Sequence, residues 1–130
     1  MEGLRVGTLE VRYATQADGR AFYGGNDPIM TFRGAVVVDG DDVIAIGGMY
    51  RDKEKIIAFS DFKEGALKHK REIIKATNLA VKLLDLYREV YVVVTPETGR
   101  PTSHSFITHY GFKEIPGRPG VYIWRREQCK

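Results

Sequence analysis

The sequence predicts an α/β domain: a mixed central sheet with helices on both faces. Three observations predict it. The runs "FRGAVVV", "VIAIGGMY" and "IIAFSDF" are separated by short polar turns, as in consecutive antiparallel strands. A long stretch with apolar residues at helical spacing follows them. The run "VYVVV" comes next and reads as a strand buried on both faces. A strand–helix–strand unit pairs its strands in parallel through a right-handed crossover, so the sheet is mixed.

Each element follows from local pattern. "GTLEVRYAT" alternates, which places a first strand at Leu9 to Tyr13. Thr15 or Asp18 caps a short helix through "QADGRAFYG". The turn formers of "GGNDP" make a loop, with "GGNDPIMTF" either a substrate loop or an ordinary surface loop. Asp39-Gly40 joins the strands Phe32 to Val38 and Val43 to Tyr50 as a hairpin. Gly47-Gly48 marks a bulge or a close backbone approach. The polar turn "RDKEK" leads to a strand over Ile56 to Phe62. Leu67, Ile74, Ala76, Leu79, Ala80, Leu83, Leu84 and Tyr87 then define one helix from Ala66 to Tyr87. Val90 to Val94 is the buried strand, and "TPETGRP" a loop. "TSHSFITHYGF" is a short helix ending on glycine. Phe112 to Ile115 and Val121 to Arg126 flank "PGRPG" as a final hairpin.

Bulk properties narrow the function. A chain of 130 residues suits one domain, taken to span 1–130. The single cysteine, Cys129, excludes an internal disulfide and a cysteine-based metal site and suits a reducing, cytoplasmic setting. No hydrophobic run reaches the roughly 20 residues that span a bilayer, and "MEGLRVGTLEVRY" lacks the layout of a signal peptide. A formal charge of +3 permits anionic ligands but does not point to nucleic acid. No Gly-x-Ser-x-Gly is present, which argues against an α/β-hydrolase.

Order and local pieces together resemble the GNAT superfamily of N-acetyltransferases. "VRYATQADGRAF" is similar to that family's opening, "DGDDVIAIGGMY" to its second hairpin and "FITHYGFKEI" to its late helix. The chain also resembles the small acetyltransferase-like proteins of tailed phages, some of them internal virion proteins, in "KHKREIIK" and in "TSH" before an aromatic helix. The resemblance implies acetyl-coenzyme A as cofactor and a small amine or a protein amine as acceptor. Such a protein would work in the host cytoplasm, or in the virion if phage-encoded. In the family, the coenzyme lies between splayed fourth and fifth strands, with its pyrophosphate on the amides that open the long helix. Free N–H groups and the helix dipole favour an anion there.

The family signature Gln/Arg-x-x-Gly-x-Gly/Ala is not matched by "DFKEGALKHKR". Aligning Gly65 puts Phe62 at the Gln/Arg position; aligning Ala66 puts Asp61 there and Glu64, which repels phosphate, in the middle. What remains is Gly65 beside a helix start, with Lys63, Lys68, His69, Lys70 and Arg71 nearby. The cofactor candidates are therefore Phe62, Lys63, Gly65, Ala66, Lys68, Lys70 and Arg71. The alternative is a solvated, lysine-rich helix face.

Amide-forming acyl transfer needs a base for the amine, donors for the thioester carbonyl and an acid for the thiolate. Asp61, ending the fourth strand, is the candidate base; otherwise it caps the following turn. The family's acid is a tyrosine four residues before the glycine of Gly-Phe, and that position is Ile107 here. Tyr110, next to Gly111, is the remaining candidate acid; otherwise it is a packed tyrosine with a bonded hydroxyl. His104 and His109 project elsewhere on that helix and carry no assigned role. Two functions stay open: an acyl-coenzyme A-dependent N-acyltransferase, and a non-catalytic phage structural or interaction protein of the same fold.

Overall fold

The computed structural model describes residues 9–24, 31–94 and 103–126, the last segment with side chains from Phe106 onward. The loops predicted at 25–30 and 95–101 lie outside the described residues, as do Cys129 and the side chains of Ser103 and His104. Seven strands form one mixed sheet: β1 (Leu9–Tyr13), β2 (Phe32–Asp39), β3 (Asp42–Asp52), β4 (Lys55–Phe62), β5 (Glu89–Val93), β6 (Lys113–Glu114) and β7 (Val121–Arg125). Their spatial order is β1-β2-β3-β4-β5-β7-β6. Among the described residues only β4 and β5 pair in parallel, as the crossover between them requires. The helices are α1 (Gln16–Phe22), α2 (Lys70–Lys82) and α3 (Ser103–His109).

Side chains alternate across the sheet and divide the core in two. On one face Phe32, Val36, Val38, Val43 and Ile46 are buried, with Phe22 and Tyr23 of the α1 segment packed on them. On the other, Met49, Ile56, Val90, Tyr122 and Trp124 are buried with Leu84 beneath Val81, Ile107 and Tyr110. Helices thus cover both faces.

The start of α1 is fixed by a capping box. Thr15 accepts from the Asp18 amide, and the Asp18 carboxylate accepts from the Thr15 amide. Asp18 is buried and also takes two bonds from Arg12 on β1, at 2.7 and 3.0 Å. Strand and helix are tied through one carboxylate.

One expectation is resolved between its alternatives, and two details differ from the sequence expectations. The bulge in the β2–β3 hairpin falls at Ile44, because Val37 opposes Ala45 while Val38 opposes Val43. Gly48 instead marks a close approach, where a Cβ would overlap the Arg33 carbonyl and the Gly34 Cα. The continuous helix over Ala66 to Tyr87 is three pieces: a 3-10 turn at Ala66–Lys68, α2, and a second 3-10 turn at Leu83–Leu86. His69, with φ −95° and ψ 59°, leaves helical geometry and sets the first break. Finally, β5 is not buried on both faces. Val90 is inaccessible, whereas Val93 on the opposite face is 55% exposed. On that same face Ile123 of β7, paired with Tyr91, is nevertheless buried, so the exposure is local to the end of β5.

Candidate acyl-transfer site

The site is built where β4 and β5 part. β3 and β4 pair through eight residue pairs, and β5 and β7 through five. Between β4 and β5 a single pair is in register, Ile57 opposite Tyr91. Past that pair, the rest of β4 (Ala58 to Phe62) bonds to β3 on one side and has no registered strand on the other. The sheet therefore opens toward the C-terminal ends of β4 and β5, the end where open α/β sheets bind ligands.

The segment after β4 turns the chain from this opening into α2. Gly65 has φ +85°, a left-handed conformation that L side chains rarely adopt, and a Cβ there would meet nothing within 4 Å. The following 3-10 turn uses its own amides: Ala66 N–H donates to Lys63 O, Lys68 N–H to Gly65 O and His69 N–H to Ala66 O. The helical bonds of α2 begin with the Ile73 amide donating to His69 O at 3.0 Å. No side chain caps this end. The amides of Lys70, Arg71 and Glu72 bond to nothing among the described residues.

The free amides of α2 thus lie beyond the 3-10 turn, on Lys70, Arg71 and Glu72, while the Ala66 amide is held by Lys63 O. Ala66 is buried, with 2% of its surface exposed. Lys68, Lys70 and Arg71 are exposed and form no ion pair among the described residues. Lys63 is engaged elsewhere: its Nζ bonds Asp42 Oδ1 at 2.8 Å and lies 5.5 Å from the centre of the Phe22 ring. Phe62 is half-buried on β4, and Glu64 is exposed in the turn.

The nominated acid and base sit on opposite faces. Asp61 shares the α1 face with Phe59 and is exposed. Its Oδ2 accepts a short bond, 2.5 Å, from the Tyr23 hydroxyl. Burial, and then this bond, push the Tyr23 phenol well above its ordinary pKa, so it stays protonated as a donor. Tyr110 packs on the other face beside Ile107 and Leu84, and its hydroxyl donates to Asn78 Oδ1 of α2 at 3.1 Å. Sequence reasoning missed both Tyr23 and Asn78. The only sequence signal for Tyr23 was an aromatic closing the first helix.

Two other features lie outside this site. A recess of about 410 Å³, lined by Lys55, Ile56, Leu86, Tyr87 and Glu89 among others, opens at the N-terminal ends of β4 and β5. It is therefore at the far end of β4 from Asp61. No group of three or more potential ligands could hold a metal among the described residues.

The whole architecture has counterparts among solved structures. A GNAT-family acetyltransferase from Staphylococcus aureus superposes with a TM-score of 0.59 at 10% identity, over 91% of this chain and 99% of that one. This is the fold of the GNAT acetyltransferases. An acetyltransferase from Streptococcus agalactiae matches with a TM-score of 0.51 at 12% identity, covering 92% of this chain and 99% of its own. The PaiA N-acetyltransferase of Thermoplasma acidophilum, in complex with coenzyme A, matches with a TM-score of 0.51 at 12% identity, over 91% and 99% of the two chains. No protein-family model and no curated protein matches the sequence. At these identities the likeness concerns the GNAT fold and stops there.

Proposed function

We propose that the chain is an acyl-coenzyme A-dependent N-acyltransferase acting on an amine. The observation that carries this reading is the single-pair junction of β4 and β5, opening beside the uncapped, basic start of α2. A strand edge without a partner offers N–H and C=O groups to an extended amide chain such as pantetheine. The amides of Lys70, Arg71 and Glu72, with the charges of Lys68, Lys70 and Arg71, suit a pyrophosphate. The residues present thus fit the coenzyme, which supplies an activated thioester when bound.

In this reading Asp61 accepts the proton of the acceptor amine, directly or through water, and Tyr23 orients its carboxylate. Tyr110 gives a proton to the departing thiolate only after releasing Asn78. Titration calorimetry with acetyl-coenzyme A tests the reading. Binding in the micromolar range is expected; no heat and no thermal shift at millimolar ligand would sink it.

A second reading, a catalytically silent protein of this fold with a structural role such as in a phage particle, is favoured by one observation. The Tyr110 hydroxyl is already committed to α2. Turnover separates the two readings: acyl transfer to an amine by the native protein ends the silent reading, and a turnover unchanged in Tyr110→Phe then removes Tyr110 from the mechanism.

A further inference from the structure

The β4–β5 seam parts at its other end as well. With Ile57 and Tyr91 the single registered pair, Lys55 and Ile56 on β4 and Glu89 and Val90 on β5 have no registered partner across the seam. The recess of about 410 Å³ lies there, within the roughly 300–1,000 Å³ of sites that take small molecules. Part of its lining is apolar: Ile56 is buried, Tyr87 and Tyr91 are half-buried, and Leu86 is 58% exposed. The rest is charged. Arg51 comes from the end of β3 and Lys55 from the start of β4, and Arg88 adds a third positive charge. Arg51 shares a face of the sheet with its registered partner Ile56, whereas Lys55 Nζ lies over the Tyr91 ring on the other face, 5.5 Å from its centre. The two cations thus bracket the end of the seam. Neither forms an ion pair among the described residues. Two carboxylates also line the recess. Glu89 is engaged: it accepts from the Tyr91 hydroxyl at 2.9 Å and pairs with Arg125 at 3.6 Å. Glu54 is left to balance Arg51 and Lys55.

We propose that this recess binds a small organic anion, a carboxylate carried on an apolar body. The Arg51 guanidinium presents a planar fork that matches a carboxylate, and the Lys55 ammonium supplies a second charge-assisted bond. The apolar body covers Leu86 and the exposed part of Tyr91, removing apolar surface from water. A neutral isostere keeps only the second contribution, and a bare inorganic anion only the first. The recess is at the far end of β4 from Asp61 and from the start of α2. It therefore stands apart from the acyl-transfer reading.

Nuclear magnetic resonance titration tests this, with benzoate as probe, benzamide as its neutral isostere and inorganic phosphate as the charge without the body. Benzoate is expected to shift the Lys55, Ile56 and Tyr91 resonances and to bind at least about tenfold more tightly than either control. Arg51→Gln and Lys55→Gln are each expected to lower benzoate affinity at least about fivefold and to leave benzamide binding unchanged, with the thermal unfolding midpoint confirming the fold. Leu86→Ser should weaken benzoate and benzamide alike. Equal binding of benzoate and benzamide, or of benzoate and phosphate, overturns the site. So does a benzoate affinity unchanged in both Arg51→Gln and Lys55→Gln. Benzoate shifts centred on the amides of Lys70 to Glu72 would place the anion at α2 and overturn it too. The titration needs no coenzyme, so its outcome is independent of the acyl-transfer reading.

Discussion

Asp18 is the residue on which most local interactions converge. It caps α1, answers Arg12 and is only 7% exposed. The hydrogen bonds from Arg12, with those from Thr15, hold its carboxyl below the ordinary value although burial opposes them. A carboxyl depressed by folding contributes stability above its unfolded pKa and loses it as pH falls through the folded one. Asp18→Asn is therefore expected to cost about 1–3 kcal/mol at neutral pH. The gap from the native protein should narrow below about pH 4, as thermal unfolding across pH would show. Thr15→Ala should cost about 1 kcal/mol by the same measurement. Gly48→Ala should be worse than its size suggests. Its Cβ would strike backbone on β2, with no flexible side chain to yield, at a cost of roughly 1–3 kcal/mol or more. Thr15 and Asp18 were legible in sequence because a capping box is a local pattern. The Arg12 and Tyr23 partners of Asp18 and Asp61 were not, since each depends on where a strand and a helix meet.

Among the elements, α2 departs furthest from its sequence signal. Apolar residues recur at helical spacing from Leu67 to Tyr87, with a polar run at Lys68 to Glu72, but periodicity records which side faces the core and not whether every residue is helical. The first break follows Gly65, whose positive φ opens the turn, and falls at His69. Gly65→Ala should cost about 1–2 kcal/mol from the left-handed conformation. Gly65→Glu adds a charge over the same open space. If the pyrophosphate rests on α2, Arg71→Glu should weaken coenzyme A binding at least about tenfold by calorimetry. Gly65→Glu should weaken it less, because the free amides lie five or more residues further on. The reverse order would return the site to the Gly65 turn. The break at His69 leaves the amides of Lys70 to Glu72 free, and no composition or spacing in "DFKEGALKHKR" announced it.

At the scale of the molecule, the antiparallel run of β2, β3 and β4, the parallel junction and the final hairpin were legible in advance, whereas the insertion of β7 between β5 and β6 was not. They follow from turn lengths and from a crossover rule that leaves few alternatives. The uneven cover of the sheet was not. Ile123 of β7 is buried on the same face where Val93 at the end of β5 is exposed, a difference that "VYVVV" cannot reveal. Coenzyme that binds only the folded chain should raise its stability by about 2.7 kcal/mol at a hundredfold excess over Kd. A rise of several degrees in the unfolding midpoint is expected, and it should vanish in the Arg71→Glu variant.

The single Ile57–Tyr91 pair also bears on how the chain folds. β2–β3 and β3–β4 form by tight hairpins, and β6–β7 closes within a short span. The β1–β2, β4–β5 and β5–β7 joins reach further along the chain, and of these the β4–β5 seam is parallel and rests on one registered pair. Local contacts form early, and long-range parallel pairing comes late. Ile57→Ala should therefore accelerate unfolding and leave the refolding rate nearly unchanged in stopped-flow experiments. The slot offered to a ligand is also one of the late joins the chain makes.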